Sequence, residues 1–73
     1  MELTQCQRAI IKRLADGEHV ASIATICDRL IHYPAVQIAE AINSLVANHL
    51  ARVTVTRHDI TMICITRKAL ESI

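Results

Sequence analysis

"LVANHLARVTVTRHDITMICITRKAL", residues 45–70, changes its period twice along its length. It opens on apolar residues at helical spacing, passes into alternation at "RVTVTR", and ends in "TRKAL", where a helix begins again. In the alternating part Val53 and Val55 share one face, and Arg52, Thr54 and Thr56 share the other. "RHDIT" is a polar tip that lacks the Asn-Gly or Asp-Gly of the tightest turns. "MICI" returns as a strand that is apolar on both faces, so one face should pack on helices and the other needs separate cover. Thr66 stands where a cap for the closing helical turns belongs, with Ala69, Leu70 and Ile73 directed back to the body. Such a hairpin either projects from the domain or forms a small sheet that closes a core or pairs with a second copy.

Working back from that stretch, the chain reads as helices. "TQCQRAIIKRLAD" (4–16) carries a cap at Thr4 and an apolar stripe of Cys6, Ile10, Ile11 and Leu14. Leu3 can fold back onto that stripe, and Arg8, Lys12 and Arg13 lie on the opposite face. Gly17, the only glycine, is expected to end the helix in a left-handed conformation. "HVASIATICDRL" (19–30) gives a shorter second helix capped by Ser22, with Ile23, Ile26, Cys27 and Leu30 inward. Pro34 disfavours helical geometry at Tyr33 and fits the first turn of a third helix over about 34–48. That helix buries Ile38, Ile42 and Leu45, and Asn48 with His49 makes its stop, since both tolerate a left-handed backbone.

The composition sets limits on function. Seventy-three residues without repeat or linker suggest one domain, 1–73, near the size where a single core only just suffices. Hydrophobic residues make up 52% of the chain, yet Tyr33 is the only aromatic, so the core must be aliphatic. That much aliphatic surface is hard to bury in one copy, which predicts a homodimer or a protein partner. Eight Lys/Arg against seven Asp/Glu leave +1, far from the balance of a domain that holds DNA by charge alone. No apolar run approaches a membrane span and the N-terminus lacks a signal-peptide pattern, which points to the cytoplasm. Cys6, Cys27 and Cys64 form no CxxC pair and read as reduced, buried small hydrophobes. His19, His32, His49 and His58 are scattered singly, so neither metal nor cofactor is expected.

Both the order of elements and the residues resemble the winged helix-turn-helix regulators of bacteria and phages. "IATICDRL" followed by "PAVQIAEAINSLVANHLARV" is similar to the family's second and third helices, and "ICITRKAL" to its second wing strand and exit. The resemblance covers about residues 3–73 and implies a mainly α fold with a two-stranded β-hairpin, in the order α-α-α-β-β-α. It implies a small transcriptional regulator with the helix at 34–48 in the major groove of double-stranded DNA. The wing at 52–66 would then lie on the backbone or minor groove. This chain departs from the family in three ways. His49 stands where Gly is common, Ile31, His32 and Tyr33 replace small residues in the turn between helices two and three, and the recognition helix has no Lys or Arg.

On that helix the outward candidates are Tyr33, Ala35, Val36, Gln37, Glu40, Asn43 and Ser44. Gln37 and Asn43 can pair with adenine, Ala35 or Val36 can meet a thymine methyl, and Glu40 can accept from cytosine. The same residues also make an ordinary polar helix face. Candidates for wing and backbone contacts are Arg29, Arg52, Arg57, His58, Arg67 and Lys68; each also reads as a solvated surface charge. The competing reading is a winged-helix protein-interaction module, an adaptor or inhibitor that does not bind DNA. Its contacts would be Ile31, Tyr33 and Val36, or the outer face of 60–65. A dimer would use helix one or the outer strand face. No phosphate loop, carboxylate pair or nucleophile with a base at readable spacing is present, so no enzymatic activity is expected.

Overall fold

A computed structural model describes residues 3–71. The elements are α1 (Gln5–Asp16), β1 (Val20–Ser22), α2 (Ile23–Arg29), α3 (Ala35–Ala47), β2 (Ala51–Val55), β3 (Thr61–Ile65) and α4 (Arg67–Glu71). The expected apolar stripes form the core: Cys6, Ile10, Ile11 and Leu14 of α1 meet Ile26, Ile38, Ile42 and Leu45, with Leu50, Ile63, Ile65 and Ala69. Leu3 packs against this cluster, as do Ile23, Cys27, Leu30 and Leu70. Ile73 lies outside the described residues.

Each helix start is fixed by a short polar side chain or by proline. Thr4 Oγ1 accepts from the Gln7 amide (3.2 Å) while Gln7 Oε1 accepts from the Thr4 amide (2.9 Å), a reciprocal capping box. Ser22 Oγ accepts from the Thr25 amide at 3.1 Å. Pro34 sits one position earlier than expected, as the cap of α3, and its carbonyl accepts from Ile38 at 3.1 Å.

The hairpin joins a three-stranded antiparallel sheet of order β1-β3-β2. The expectation of two strands therefore needs one addition. Val20, Ala21 and Ser22 pair with Cys64, Ile63 and Met62, so "MICI" is the central strand. Ile63 and Ile65 are buried against the helices, whereas Met62 is half-buried and Cys64 exposed on the other face, so the separate cover expected for that face is not found among the described residues. A strand of three residues is too short to show a period, and its last residue doubles as the cap of α2.

Two local expectations are corrected. Gly17 caps α1 with φ −109°, outside the left-handed region; the positive φ (68°) belongs to His19, whose amide donates to the Leu14 carbonyl at 3.0 Å. Cys6 is buried and Cys27 half-buried, but Cys64 is exposed, because its side chain lies on the sheet face away from the helices.

Candidate nucleic-acid interface

α3 divides cleanly into two faces. Ile38, Ala41, Ile42 and Leu45 are buried, so at 100° per residue Val36, Glu40, Asn43 and Ala47 point outward, and all four are exposed. Ala35, Gln37 and Ala39 are exposed on the flanks, whereas Ser44 is half-buried. Val36, Gln37 and Glu40 border an open cleft shared with Thr4, Cys6, Gln7 and Pro34 of neighbouring elements. Tyr33 precedes the helix and rests half-buried against the core, while Ile31 and Val36 stay largely exposed (75% and 71%). Ala39 and Ala47 were absent from the sequence candidates. A helical wheel centred on Val36 includes both, but alanine carries no chemistry to attract attention. The first turn of α3 has neither a side-chain cap nor an acidic residue, which leaves its amide donors and the positive end of the helix dipole uncompensated.

The corner from α3 into β2 is built around His49. The Leu50 amide donates to Leu45 O (2.8 Å) and the His49 amide to Val46 O (3.1 Å), with His49 at φ 61°. These two bonds and a left-handed residue between them make a Schellman motif, with Leu45 and Leu50 both buried in the core cluster. The turn is therefore regular although it lacks glycine. Asn48 Nδ2 adds a bond to Ser44 O at 2.8 Å, and Thr66 Oγ1 donates to His49 O at 2.8 Å.

The hairpin tip is equally well specified. The Thr56 amide donates to Ile60 O (2.9 Å), the Asp59 amide to Thr56 O (3.1 Å), and Asp59 has φ 59°. This is a three-residue loop, Arg57-His58-Asp59, whose left-handed position is filled by Asp. Thr56 Oγ1 further accepts from the His58 and Ile60 amides at 3.3 and 3.2 Å. Arg57 and His58 are thus presented, exposed, on a stiff turn.

The other basic candidates are dispersed. Arg52 is exposed on β2, on the sheet face it shares with its partner Cys64. Arg67 and Lys68 open α4 at the His49 corner, and Lys68 Nζ donates to Asn48 O at 3.3 Å. Arg29 ends α2 and borders a different cleft, lined also by Arg13, Asp16 and Glu18. Among the ionisable groups of the site and its surroundings, Cys6 shows a clear perturbation: burial pushes its thiol above the ordinary value.

Superposition on solved structures decides the fold. ZitR of Lactococcus lactis matches 99% of the chain with TM-score 0.82 and 22% identity. The transcriptional regulator BldR of Sulfolobus solfataricus matches 99% with TM-score 0.83 and 24% identity. BpsR of Bordetella bronchiseptica, whose DNA binding is regulated by 6-hydroxynicotinic acid, matches 97% with TM-score 0.84 and 18% identity. This chain has the winged helix-turn-helix fold. In it α2 and α3 are the helix-turn-helix, and β2 and β3 are the wing, with β1 completing the sheet. The winged-helix chain spans 49%, 51% and 51% of the lengths of those three structures. No family model matches the chain, and no curated protein matches it. No helix among the described residues is long and apolar enough to cross a membrane.

Proposed function

We propose that the chain, as one winged-helix unit, is the DNA-binding part of a transcriptional regulator. The observation that carries this reading is the outward face of α3. An exposed strip of Val36, Ala39, Glu40, Asn43 and Ala47 stands on a helix whose opposite face is locked into the core. In the proposed complex that strip enters the major groove, where Val36 and Ala39 meet thymine methyls, Asn43 reads adenine and Glu40 accepts from cytosine. Arg57 and His58 of the wing contact the backbone or minor groove, with Arg52, Arg67 and Lys68 as further phosphate contacts. Gln37, Ala35 and Ser44 are flanking contacts, Tyr33 buttresses the helix start, and Arg29 contributes least because it borders a cleft separate from the one beside α3. The regulator acts as a homodimer.

Support comes from the fold and from the nature of its structural neighbours, which are transcriptional regulators. The competing adaptor reading, through Ile31, Tyr33 and Val36 or the outer face of 60–65, is not favoured by those neighbours. Two measurements test the proposal: a gel shift on random duplex at low salt and retention on heparin. Retention and a salt-sensitive shift are expected. Absence of both would overturn the DNA reading.

A further inference from the structure

The wing's outer strand has an unused hydrogen-bonding edge. Among the described residues β2 is an edge of the sheet, paired with β3 on one side only. The bonds from Thr56 N to Ile60 O and from Thr66 N to Leu50 O fix the parity of the ladder, so Arg52, Thr54 and Thr56 direct their backbone groups toward β3. Ala51, Val53 and Val55 therefore direct theirs away from it. Ala51 is buried at 2% exposure, which leaves the N–H and C=O groups of Val53 and Val55 as the open edge. Their side chains are exposed as well, at 39% and 64%. Edge strands are usually protected by lysine, proline, a bulge or an inward charge. β2 is a regular five-residue ladder without lysine, proline or bulge, and Arg52 is its only charged residue.

We propose that this edge is the seam of the homodimer, where β2 of one copy pairs antiparallel with β2 of a second to give a continuous six-stranded sheet. This deepens the homodimer part of the reading above and needs no DNA contact. The open groups choose the register. With the two-fold axis at Thr54, Val53 faces Val55 of the second copy and exchanges both backbone bonds with it, and the reciprocal pair does the same. Thr54 then faces its own copy across a non-hydrogen-bonded position, a favourable Thr–Thr pair. Arg52 falls opposite Thr56 and Arg57 opposite Ala51, so no like charges confront one another. Centring on Val53 instead would need the buried backbone of Ala51, and centring on Val55 would draw the tip residue Arg57 into the ladder. A second copy fits this edge because the two open residues flank Thr54 symmetrically, so a two-fold axis there satisfies all four of their exposed backbone groups in each copy at once.

Sedimentation of the 73-residue chain without DNA, together with two variants, tests the seam. Val55→Pro removes an amide that β3 does not use, so the fold is retained by circular dichroism. Two of the four inter-copy bonds are lost, and dimerisation should weaken about thirtyfold or more. Thr54→Cys, in a Cys64→Ser background, places two thiols at a cross-strand spacing that a disulfide can span, and mild oxidation should give a covalent dimer. Thr56→Cys in the same background should not, since it faces Arg52. A wild-type chain that sediments as a monomer at high concentration would overturn the proposal. So would a dimer that survives Val55→Pro while Thr54→Cys fails to cross-link. Either result leaves the gel shift and heparin outcomes untouched, so the seam and the DNA reading fail separately.

Discussion

At the scale of single residues, three positions work against their own chemistry. His19, His49 and Asp59 hold positive φ where glycine is cheapest, while the one glycine lies outside the left-handed region. His49 is the most informative, because a complete Schellman motif is built on it and its imidazole is exposed. Replacing it with glycine should remove the cost of a Cβ in that conformation, partly offset by a more flexible unfolded chain. A net gain of about 0.5–1 kcal/mol is expected in urea unfolding, and His49→Val should lose at least as much. The cysteines give a second expectation. Cys64 is exposed and should be alkylated first, Cys27 next, and Cys6 only on unfolding. Burial raises the Cys6 thiol, so folding favours its protonated form. The stability this contributes is fully present below the ordinary thiol range and is lost as pH rises through the raised value. Unfolding titrations on either side of that range, compared with Cys6→Ala, would show the slope and its disappearance.

At the scale of elements, Thr66 ties three of them together. Its hydroxyl donates to His49 O at the α3–β2 corner, and its oxygens accept from Ala69 and Leu70 in the first turn of α4. Thr66→Ala should cost about 1–2 kcal/mol in chemical denaturation, and Thr66→Ser should restore most of it. A threonine that changed nothing when truncated would show that the corner is held by the Schellman bonds alone. Elements with a long period were legible in the sequence. Four apolar positions at helical spacing marked α1, and alternation from Arg52 marked the first wing strand. β1 was not legible, because three residues cannot display a period and its pairing with β3 spans some forty positions of chain. The exposure of Cys64 was hidden for the same reason: an apolar-looking strand reveals its solvent face only once its neighbours in the sheet are known. The box at Thr4 could have been read, since "TQCQ" places Gln three residues after the cap.

At the scale of the whole molecule, the charge balance decides how DNA binding should look. A net charge of +1 and an α3 without Lys or Arg leave the wing and the His49 corner to supply the phosphate contacts of the proposed complex. Each such contact steepens the fall of affinity with salt by about 0.9 in log–log slope. The candidate site was legible as a list of exposed charges and helix-face residues. Its grouping was not, because only the fold puts Arg29 beside a separate cleft with Arg13, Asp16 and Glu18. Arg57 is the proposed contact whose removal is cleanest, since the turn it occupies is held by Thr56 and Asp59 and not by its own side chain. Arg57→Ala should leave stability unchanged and reduce the salt slope on random duplex by about 1. Glu40→Gln should act in the opposite sense. It removes the one negative charge from the outward strip of α3, so affinity for random duplex should rise about threefold at low salt and the gain should shrink as salt increases. If Glu40 accepts from a cytosine in the true site, the same substitution lowers specific affinity while raising the non-specific one. A variant in which both affinities moved together, or neither moved, would remove Glu40 from the groove and with it the proposed orientation of α3.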